Sequence, residues 1–381
     1  MQSHFKGPTE PPLIDTTIGE ALVSAAERWG DQEALVAVHQ NVRFTYSQLL
    51  EHVDRLASNL IALGLQKGDR IGIWSPNCAE WTLTQLAAAR AGLVFVTINP
   101  AYRLHEAEYT FNKVGVRALV VAEKFKTSDY PAMVETLAPE LLYCDPGHLR
   151  SDPVPSLEIA IKIGGTERCG WLQFDDVASR QVLGNGLERR AATLDPTDAI
   201  NIQFTSGTTG SPKGATLSHR NILNNGYILG GTLRFEAGDR LCIPVPLYHC
   251  FGMVMGNLGC LTHGAAMVLP SDAFDPRSVL RAIEQERCTA LYGVPTMFIA
   301  ELEHLDSESF DLSSLRTGIM AGAICPEPLM REVIDRMHMS EVTIAYGMTE
   351  TSPISLQTAT DDPLERRVST VGHVQPHLEC K

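Results

Sequence analysis

The sequence predicts an α/β fold with mostly parallel sheets that helices cover on both faces. Short apolar runs typical of buried strands alternate along the chain with segments of helical periodicity. This alternation is typical of parallel strands joined by crossover helices. With 381 residues, 44% hydrophobic and 20% charged, the chain is long enough for a large core spread over two or three subdomains.

The first half of the chain shows the alternation in order. A helix is predicted from a cap at Thr45 or Ser47 as far as Leu63, where Gly64 and the Lys-Gly-Asp turn at 67–69 end it. The elements expected after it are strand Arg70–Trp74, helix Cys78–Ala91, strand Leu93–Ile98 and strand Ala118–Val121.

The same pattern resumes in the second half. The strands predicted there are Ala199–Phe204, Leu241–Val245, Ala265–Leu269, Ala290–Tyr292, Thr317–Met320 and Val342–Ala345. Residues 144–170 contain several prolines and glycines with little periodicity, which is typical of a connection between lobes. We therefore expect one lobe with its connecting segment over residues 1–170 and a second lobe over residues 171–381.

Charge and cysteine usage exclude several classes of protein. The formal net charge is −14 and the basic residues form no cluster, which argues against nucleic acid as a partner and against tight binding to an anionic membrane. No segment has the apolar length of a transmembrane span, and the polar start lacks the features of a secretory signal. The nine cysteines show no C-x-x-C spacing. We therefore expect reduced thiols and a cytoplasmic protein.

A glycine- and hydroxyl-rich segment around Lys213 is the strongest functional signal. Glycines let successive backbone N–H groups point at one anion, and hydroxyls and a lysine add donors for a terminal phosphate. The segment is not a Walker A loop, because Lys213 stands between Pro212 and Gly214. It follows a predicted strand and precedes a helix expected near Ser218, a context that favours a polyphosphate site over a flexible linker.

A second pattern follows the apolar run that ends at Ala345. Tyr346 offers a flat face to a base, Thr349 a hydroxyl, and Glu350 a carboxylate that suits Mg²⁺ bound to phosphates. Ligands in open α/β sheets bind at the carboxyl ends of strands, where this segment is predicted to lie. A glycine turn with Glu350 in the first turn of a helix, where the dipole favours an acid, explains the same residues equally well.

Two shorter motifs also follow apolar runs. His249 stands alone between apolar residues, and such a histidine is more often a hydrogen-bonded core residue than a catalytic one. The small residues at 320–323 allow either close approach of a ligand or tight packing of a helix on a strand. The i,i+4 spacing of His373 and His377 does not indicate a helical metal pair, because Pro376 interrupts it.

In this order, the motifs resemble those of the adenylate-forming superfamily, which includes acyl-CoA synthetases, firefly luciferase and the adenylation domains of peptide synthetases. The motifs are Thr-Ser-Gly-Thr-Thr-Gly-Ser-Pro-Lys-Gly, Pro-Leu-Tyr-His, Ala-Gly-Ala, Tyr-Gly-Met-Thr-Glu and Thr-Val-Gly. The resemblance extends from Ile18 to the end of the chain. Residues 207–219 and 346–353 are most similar to medium- and long-chain fatty acyl-CoA synthetases.

The resemblance implies an acid–thiol ligase that uses ATP, Mg²⁺ and coenzyme A to activate a fatty acid. It implies the large N-terminal domain of the adenylate-forming fold, layered αβαβα, and allows a homodimer. The catalytic residues that it implies are His249, Thr349, Glu350 (also the Mg²⁺ ligand) and Lys213. The ATP-binding residues that it implies are Thr205, Ser206, Gly207, Thr208, Thr209, Gly210, Ser211, Lys213, Gly322, Ala323, Tyr346, Gly347, Met348 and Thr349. The acyl-binding residues that it implies are His249, Met253, Val254, Val294 and Ile319.

The chain departs from the family at its end. Family members continue with a Tyr-x-Thr-Gly-Asp segment, a hinge and a small C-terminal domain with a catalytic lysine, so we expect this chain to be the N-terminal part of an enzyme and poorly active alone. An amino-acid-adenylating domain would need an acid near the start of its pocket, and residues 249–255 contain none. An aromatic acid ligase and a non-catalytic nucleotide- or acyl-binding protein stay open as alternatives.

Overall fold

The computed structural model describes residues 3–182, 184–205 and 212–381. Its strands are β1 Phe5–Lys6, β2 Glu33–Ala37, β3 Val42–Thr45, β4 Arg70–Trp74, β5 Val94–Ile98, β6 Val116–Ala122, β7 Lys124–Phe125, β8 Ser128–Asp129, β9 Ile159–Ile163, β10 Trp171–Gln173, β11 Ala199–Thr205, β12 Lys213–Ser218, β13 Arg240–Cys242, β14 Ala266–Leu269, β15 Ala290–Gly293, β16 Thr317–Ala321, β17 Glu341–Gly347, β18 Ile354–Gln357, β19 His373–Val374 and β20 Glu379–Cys380.

The α-helices lie between most of these strands. They are α1 Ile18–Trp29, α2 Tyr46–Ala62, α3 Ala79–Ala91, α4 Leu104–Val114, α5 Tyr130–Leu137, α6 Phe174–Ser179, α7 Gly186–Ala191, α8 His219–Thr232, α9 Gly259–His263, α10 Pro276–Glu286, α11 Pro295–Leu305, α12 Glu327–Met337 and α13 Leu364–Ser369. Short 3₁₀ helices span Val38–Gln40, Pro139–Leu142 and Thr349–Thr351, and a π-helix spans Phe251–Leu258. The predicted strands are confirmed, although β13 ends earlier than expected.

The chain divides into two compact units. One contains Met1–Asp15, Ser24–Ser47 and Arg220–Lys381, and the other contains Thr16–Val23 and Gln48–His219. This partition differs from the expected lobes over residues 1–170 and 171–381. The reason is strand pairing: β2 pairs with β14, while β10 pairs with β9 and β11 pairs with β5. The stretch expected to be irregular, residues 144–170, also contains the sheet strand β9.

The unit that contains the C-terminal part of the chain is built on a nine-stranded sheet. Its strand order is β19-β18-β17-β16-β15-β13-β14-β2-β3, parallel from β17 to β2 and antiparallel at both edges. One face packs against α10, α11 and α12 through side chains such as Val279, Phe298 and Val333. On the other face, Tyr292 of β15 donates its hydroxyl to the Met255 carbonyl of the π-helix at 3.2 Å. Helices thus cover both faces, as predicted.

The other unit is built on a seven-stranded sheet with the order β10-β9-β6-β4-β5-β11-β12, parallel except for β12. Trp74 of β4 packs on Phe111 and Tyr130 on one face of this sheet. On β5, the Phe95 ring meets Trp81 of α3 edge-on, with 4.9 Å between ring centroids. Both sheets are therefore of the α/β type that the sequence predicts. Among the described residues, no helix is long and apolar enough to cross a membrane.

The surroundings of the glycine-rich segment correct one expectation. The segment was expected to connect a strand directly to a helix, but β12 intervenes before α8 begins at His219. β12 pairs antiparallel with β11, so the two strands form a hairpin. The alternation of apolar residues in Lys213–Ser218 is weak, because the strand lies at the edge of the sheet and most of its residues are not fully buried. The described residues from Lys213 onward therefore begin an edge strand, and a helix starts only after that strand.

Candidate functional site

Parallel strands bring two of the predicted motifs to one edge of the nine-stranded sheet. β16 and β17 pair in register from Thr317 opposite Glu341 to Ala321 opposite Ala345. The small residues at the end of β16 and Tyr346 near the end of β17 therefore lie on neighbouring strands. This edge holds the carboxyl ends of the strands, where α/β sheets bind ligands.

A cavity of about 780 Å³ lies at this edge. Its walls come from three separate stretches of the chain. The lining residues are Gly322, Ala323, Ile324 and Cys325 after β16, Ile344, Ala345, Tyr346 and Gly347 in β17, and Val368, Ser369, Thr370 and Val371 around the end of α13. The volume is in the range typical of small-molecule sites. The structure therefore brings four of the predicted ATP-binding residues, Gly322, Ala323, Tyr346 and Gly347, to one cavity.

The backbone of this cavity requires glycine at two positions. Gly322 has a φ of +87°, a left-handed conformation that L side chains rarely adopt. A Cβ at Gly347 would lie 1.8 Å from the carbonyl oxygen of Pro353, so no side chain fits there. Tyr346 lines the same cavity and is 49% exposed.

The next residues form a tight turn. The Met348 N–H donates to the Pro353 carbonyl at 3.0 Å, and the Thr351 hydroxyl donates to the same carbonyl at 2.8 Å. Within this turn, Thr349 is buried and Glu350 and Met348 are exposed. Glu350 thus lies in a short 3₁₀ turn and not in the first turn of a longer α-helix. The alternative that rested on a helix dipole is correspondingly weaker.

His249 lies close to this turn. Solvent reaches its side chain, but the protein that surrounds the ring desolvates it and lowers the pKa of the imidazole. Its Nδ1 accepts the Phe251 N–H at 3.2 Å and lies 3.5 Å from the Cys250 Sγ. The Cys250 Sγ lies in turn 3.8 Å from the Thr349 Oγ1. The structure therefore connects His249 to Thr349, although they are far apart in the sequence.

The predicted acyl-binding residues lie beyond His249. Met253 and Val254 belong to the π-helix, a rare conformation that is frequent at functional sites, and both are fully buried. Ile319 is also fully buried and pairs in register with Tyr292, which contacts the π-helix. Val294 is half-buried, and its Cγ1 would lie 3.1 Å from a Cβ at Gly322. Ile319 and the π-helix thus lie on one face of the sheet, and Val294 lies beside Gly322.

Only the ends of the predicted phosphate loop are described. Thr205 and Lys213 pair in register across the β11–β12 hairpin, with Lys213 exposed. The Tyr109 hydroxyl of α4 donates to the Pro212 carbonyl at 3.2 Å and anchors this end of the loop. The other predicted loop residues, Ser206, Gly207, Thr208, Thr209, Gly210 and Ser211, lie outside the described residues. Their predicted role in binding phosphate stays a prediction.

Sequence reasoning gave no site role to three residues that the structure places at the site. Ile324 is 88% exposed and lines the cavity with Val371, which is 43% exposed. Exposed apolar side chains gathered at one cavity are typical of a binding surface. Val371 belongs to the Thr-Val-Gly motif, but nothing local in the sequence marks Ile324. Cys250 was also missed, because nothing in the sequence indicates that its thiol lies near Thr349.

The side chain of Glu350 is suited to a magnesium ion that also binds the phosphates of a nucleotide. Among the described residues, no group of three or more His, Cys, Asp or Glu side chains forms a metal site. A carboxylate such as that of Glu350 nevertheless suits Mg²⁺, which commonly binds to one or two carboxylates, water and substrate phosphates. The residues present are therefore those expected for a metal that arrives with a nucleotide.

Comparison of the sequence with known proteins finds a matching family and relatives that are named acyl-CoA synthetases or ligases. Residues 22–381 match the family described as AMP-binding enzyme. The chain is 44% identical over 371 residues to the putative acyl-CoA synthetase YngI of Bacillus subtilis, covering 97% of this chain and 67% of that protein. It is 43% identical over 387 residues to the human mitochondrial medium-chain acyl-CoA ligase ACSF2, covering 100% of this chain and 63% of that protein. The chain thus spans about two thirds of the length of these relatives.

Solved structures show the same fold. The anthranilate CoA ligase AuaEII, crystallised with anthranoyl-AMP, superposes with a TM-score of 0.80 at 23% identity, covering 96% of this chain and 65% of that one. The N-terminal domain of FACL13 from Mycobacterium tuberculosis gives a TM-score of 0.75 at 23% identity, covering 94% of this chain and 82% of that one. The family model matches nearly the whole chain, and two relatives are more than 40% identical to it. This chain therefore belongs to the AMP-binding enzyme family.

Proposed function

We propose that this chain carries the adenylate-forming site of an ATP-dependent acyl-CoA synthetase. The observation that supports this most directly is the 780 Å³ cavity, where residues of the Ala-Gly-Ala, Tyr-Gly and Thr-Val segments meet. Thr349 and Glu350 follow in the turn directly after Gly347. Relatives at 42–44% identity are named acyl-CoA synthetases or ligases, which supports the same reaction. The catalytic activity of the whole enzyme is part of this proposal, because the chain spans about two thirds of those relatives.

Each residue has a role that follows from its chemistry. Tyr346 stacks on the adenine, and Gly322 and Ala323 line the other side of the base. Thr349 donates to the α-phosphate, and Glu350 holds Mg²⁺, which neutralises charge on the phosphates when it is bound. The loop from Thr205 to Lys213, with Lys213 as its cation, holds the β- and γ-phosphates. Gly347 and Met348 complete the nucleotide site.

The reaction divides a difficult acyl transfer into two steps. An oxygen of the fatty acid carboxylate attacks the α-phosphorus of ATP, the α–β phosphoanhydride bond breaks, and pyrophosphate leaves. The thiolate of coenzyme A then attacks the acyl carbon, AMP leaves, and a thioester forms. Both steps build charge on phosphate oxygens, so fixed donors and orientation supply most of the catalysis.

We propose a medium-chain fatty acid as the substrate. The walls that suit an aliphatic chain are Met253, Val254, Val294 and Ile319, and the acid would reach them past His249. Relatives named medium-chain acyl-CoA ligases support this length. The nine cysteines are free thiols, which suits a cytoplasmic or other reducing compartment, although the ACSF2 relatives are named mitochondrial. A homodimer remains a proposal that sedimentation analysis tests.

Acid-dependent exchange of labelled pyrophosphate into ATP tests the proposal. We expect the whole enzyme that contains this chain to show exchange with C6 to C12 fatty acids, loss of exchange without Mg²⁺, and little exchange with amino acids. An exposed-surface variant, Arg331→Ala, serves as a control that should exchange as the unmodified protein does. Exchange with benzoate but with no aliphatic acid would support an aromatic acid ligase instead. Binding of ATP without exchange by any acid would support a non-catalytic nucleotide-binding protein.

A further inference from the structure

The Cys250 thiol lies between two residues of the proposed site. Its Sγ is 3.5 Å from the His249 Nδ1 and 3.8 Å from the Thr349 Oγ1. Both distances are long for oxygen or nitrogen donors but are suitable for the larger sulfur atom. Cys250 is 3% exposed, so water does not compete for these contacts. The thiol is thus the side chain that connects the histidine motif to the Tyr-Gly-Met-Thr-Glu motif.

The geometry also fixes the proton of His249. The Phe251 backbone N–H donates to the His249 Nδ1 at 3.2 Å, and an amide nitrogen can act only as a donor. Nδ1 must therefore present a lone pair and carry no proton. The ring is consequently neutral, with its proton on Nε2. Desolvation lowers the pKa of the imidazole, which favours the same neutral form.

The protons of Cys250 and Thr349 can be arranged so that both contacts of the sulfur are hydrogen bonds. Burial raises the pKa of the thiol to about 11, so sulfur keeps its proton at neutral pH. Because Nδ1 only accepts, the S–H donates to it and shares its lone pair with the Phe251 N–H in a three-centre hydrogen bond, and sulfur accepts the hydroxyl proton of Thr349 while no phosphate is present. The chain of donors then runs from Thr349 through Cys250 to His249, and each step reinforces the unprotonated state of Nδ1.

We propose that Cys250 is a positioning residue that, with the Phe251 amide, holds His249 as the neutral tautomer with its proton on Nε2. The inference rests on the proposed function for its purpose: the Nε2–H donates to a carboxylate oxygen of the acid substrate, so the other oxygen is aimed at the α-phosphorus. When ATP binds, Thr349 turns its hydroxyl proton from the sulfur to the α-phosphate, while the S–H of Cys250 continues to donate to Nδ1. Cys250 thus links the group that orients the carboxylate to the group that contacts the phosphate.

Nitrogen NMR of protein labelled with ¹⁵N-histidine tests the tautomer without any reaction. Two-bond ¹H–¹⁵N spectra should show His249 with an unprotonated Nδ1 and a protonated Nε2, with the signals assigned by their loss in His249→Gln. In Cys250→Ala, the Nδ1 resonance should move toward that of a nitrogen with weaker hydrogen bonds. A proton on Nδ1 in the unmodified protein would overturn the proposal.

Kinetics tests the positioning role. Loss of the S–H···N contact should lower kcat/KM for the acid about 3- to 10-fold in Cys250→Ala, and Cys250→Ser, which keeps a donor, should restore it to within about twofold. Cys260→Ala is the matched control, because it removes another buried thiol and should leave the His249 signals unchanged.

The outcomes separate the two proposals. If Cys250→Ala leaves both the Nδ1 resonance and kcat/KM equal to those of Cys260→Ala, the positioning role is wrong. If Cys250→Ala does not fold, the comparison of Cys250→Ser with the unmodified protein decides, since a serine donor should keep the Nδ1 resonance in its hydrogen-bonded range. If no acid supports pyrophosphate exchange by the unmodified protein, the proposed function fails, while the NMR measurement still decides the role of Cys250.

Discussion

Asn225 binds both backbone polar groups of Ile354. Its Nδ2 donates to the Ile354 carbonyl at 2.9 Å, and its Oδ1 accepts the Ile354 N–H at 3.1 Å. Ile354 is the first residue of β18 and directly follows the turn that contains Thr349 and Glu350. One side chain of α8 therefore fixes the point where this turn returns to the sheet.

Replacing Asn225 should measurably destabilise the fold. Because Ile354 is 2% exposed, Asn225→Ala leaves a buried N–H and a buried carbonyl with fewer partners. We expect a loss of about 1–3 kcal/mol in the free energy of unfolding, measured by urea denaturation. Arg331→Ala, which removes an exposed ion pair with Glu327, should change it by less than about 1 kcal/mol. Equal stabilities for the two variants would contradict the importance of the Asn225 contact.

Tyr346 should control the affinity for ATP. Stacking of a base on an aromatic ring contributes about 1–3 kcal/mol, so Tyr346→Ala should raise the KM for ATP about 5- to 150-fold. Tyr346→Phe keeps the ring and should stay within about threefold of the unmodified protein. Tyr143→Ala removes a tyrosine that is 77% exposed and serves as the control. An unchanged KM in Tyr346→Ala would place the adenine elsewhere.

Glu350 should control the use of magnesium. Glu350→Gln keeps the shape of the side chain but removes the negative charge that a hard cation prefers. We expect pyrophosphate exchange to fall at least about 100-fold, with partial recovery at higher Mg²⁺, measured by titrating the metal at saturating ATP. Glu365→Gln, an equally conservative change at an exposed position of α13, should have no effect. A Glu350→Gln variant with the same Mg²⁺ dependence as the unmodified protein would rule out this ligand.

Glu301 should make stability fall as the pH rises. The side chain is 0% exposed, and neither carboxylate oxygen has a hydrogen-bond partner among the described residues. Burial raises the pKa of Glu301 well above its ordinary value, so the folded state retains a proton that the unfolded chain releases above about pH 4.3. The free energy of unfolding is therefore highest, as far as this group is concerned, below the pKa of Glu301 in the unfolded chain. Above that pKa it falls by about 1.4 kcal/mol per pH unit until the pKa of Glu301 in the folded state is reached.

Comparison of two glutamate variants measures this effect. Glu301→Gln cannot ionise, so its stability relative to the unmodified protein should rise between pH 5 and pH 8, as urea denaturation at both values will show. Glu303→Gln, on the exposed side of the same helix, should stay within about 0.5 kcal/mol at either pH. A constant difference between Glu301→Gln and the unmodified protein across this range would show that Glu301 is ionised in the folded state.

The local sequence pattern was sufficient to predict those helices and strands that are determined by their own residues. The strand Arg70–Trp74 was predicted with its observed bounds, because an apolar run between turn residues marks a buried parallel strand. The edge strand β12 was missed, because its partly exposed residues carry no such pattern and pairing with β11 stabilises it. The division into units was also different from that expected, since β2 lies early in the chain but pairs with β14.

The sequence by itself determined the α/β class, the order of the motifs and the family. The reason is that helical and strand periodicities and short motifs depend on residues that are close together in the sequence. Only the tertiary structure decided which residues share a site. Ile324 and Val371 meet at one cavity, and Cys250 reaches Thr349 across 99 positions of sequence. Such contacts depend on the register of parallel strands and on the path of the loops that follow them, which no local pattern encodes.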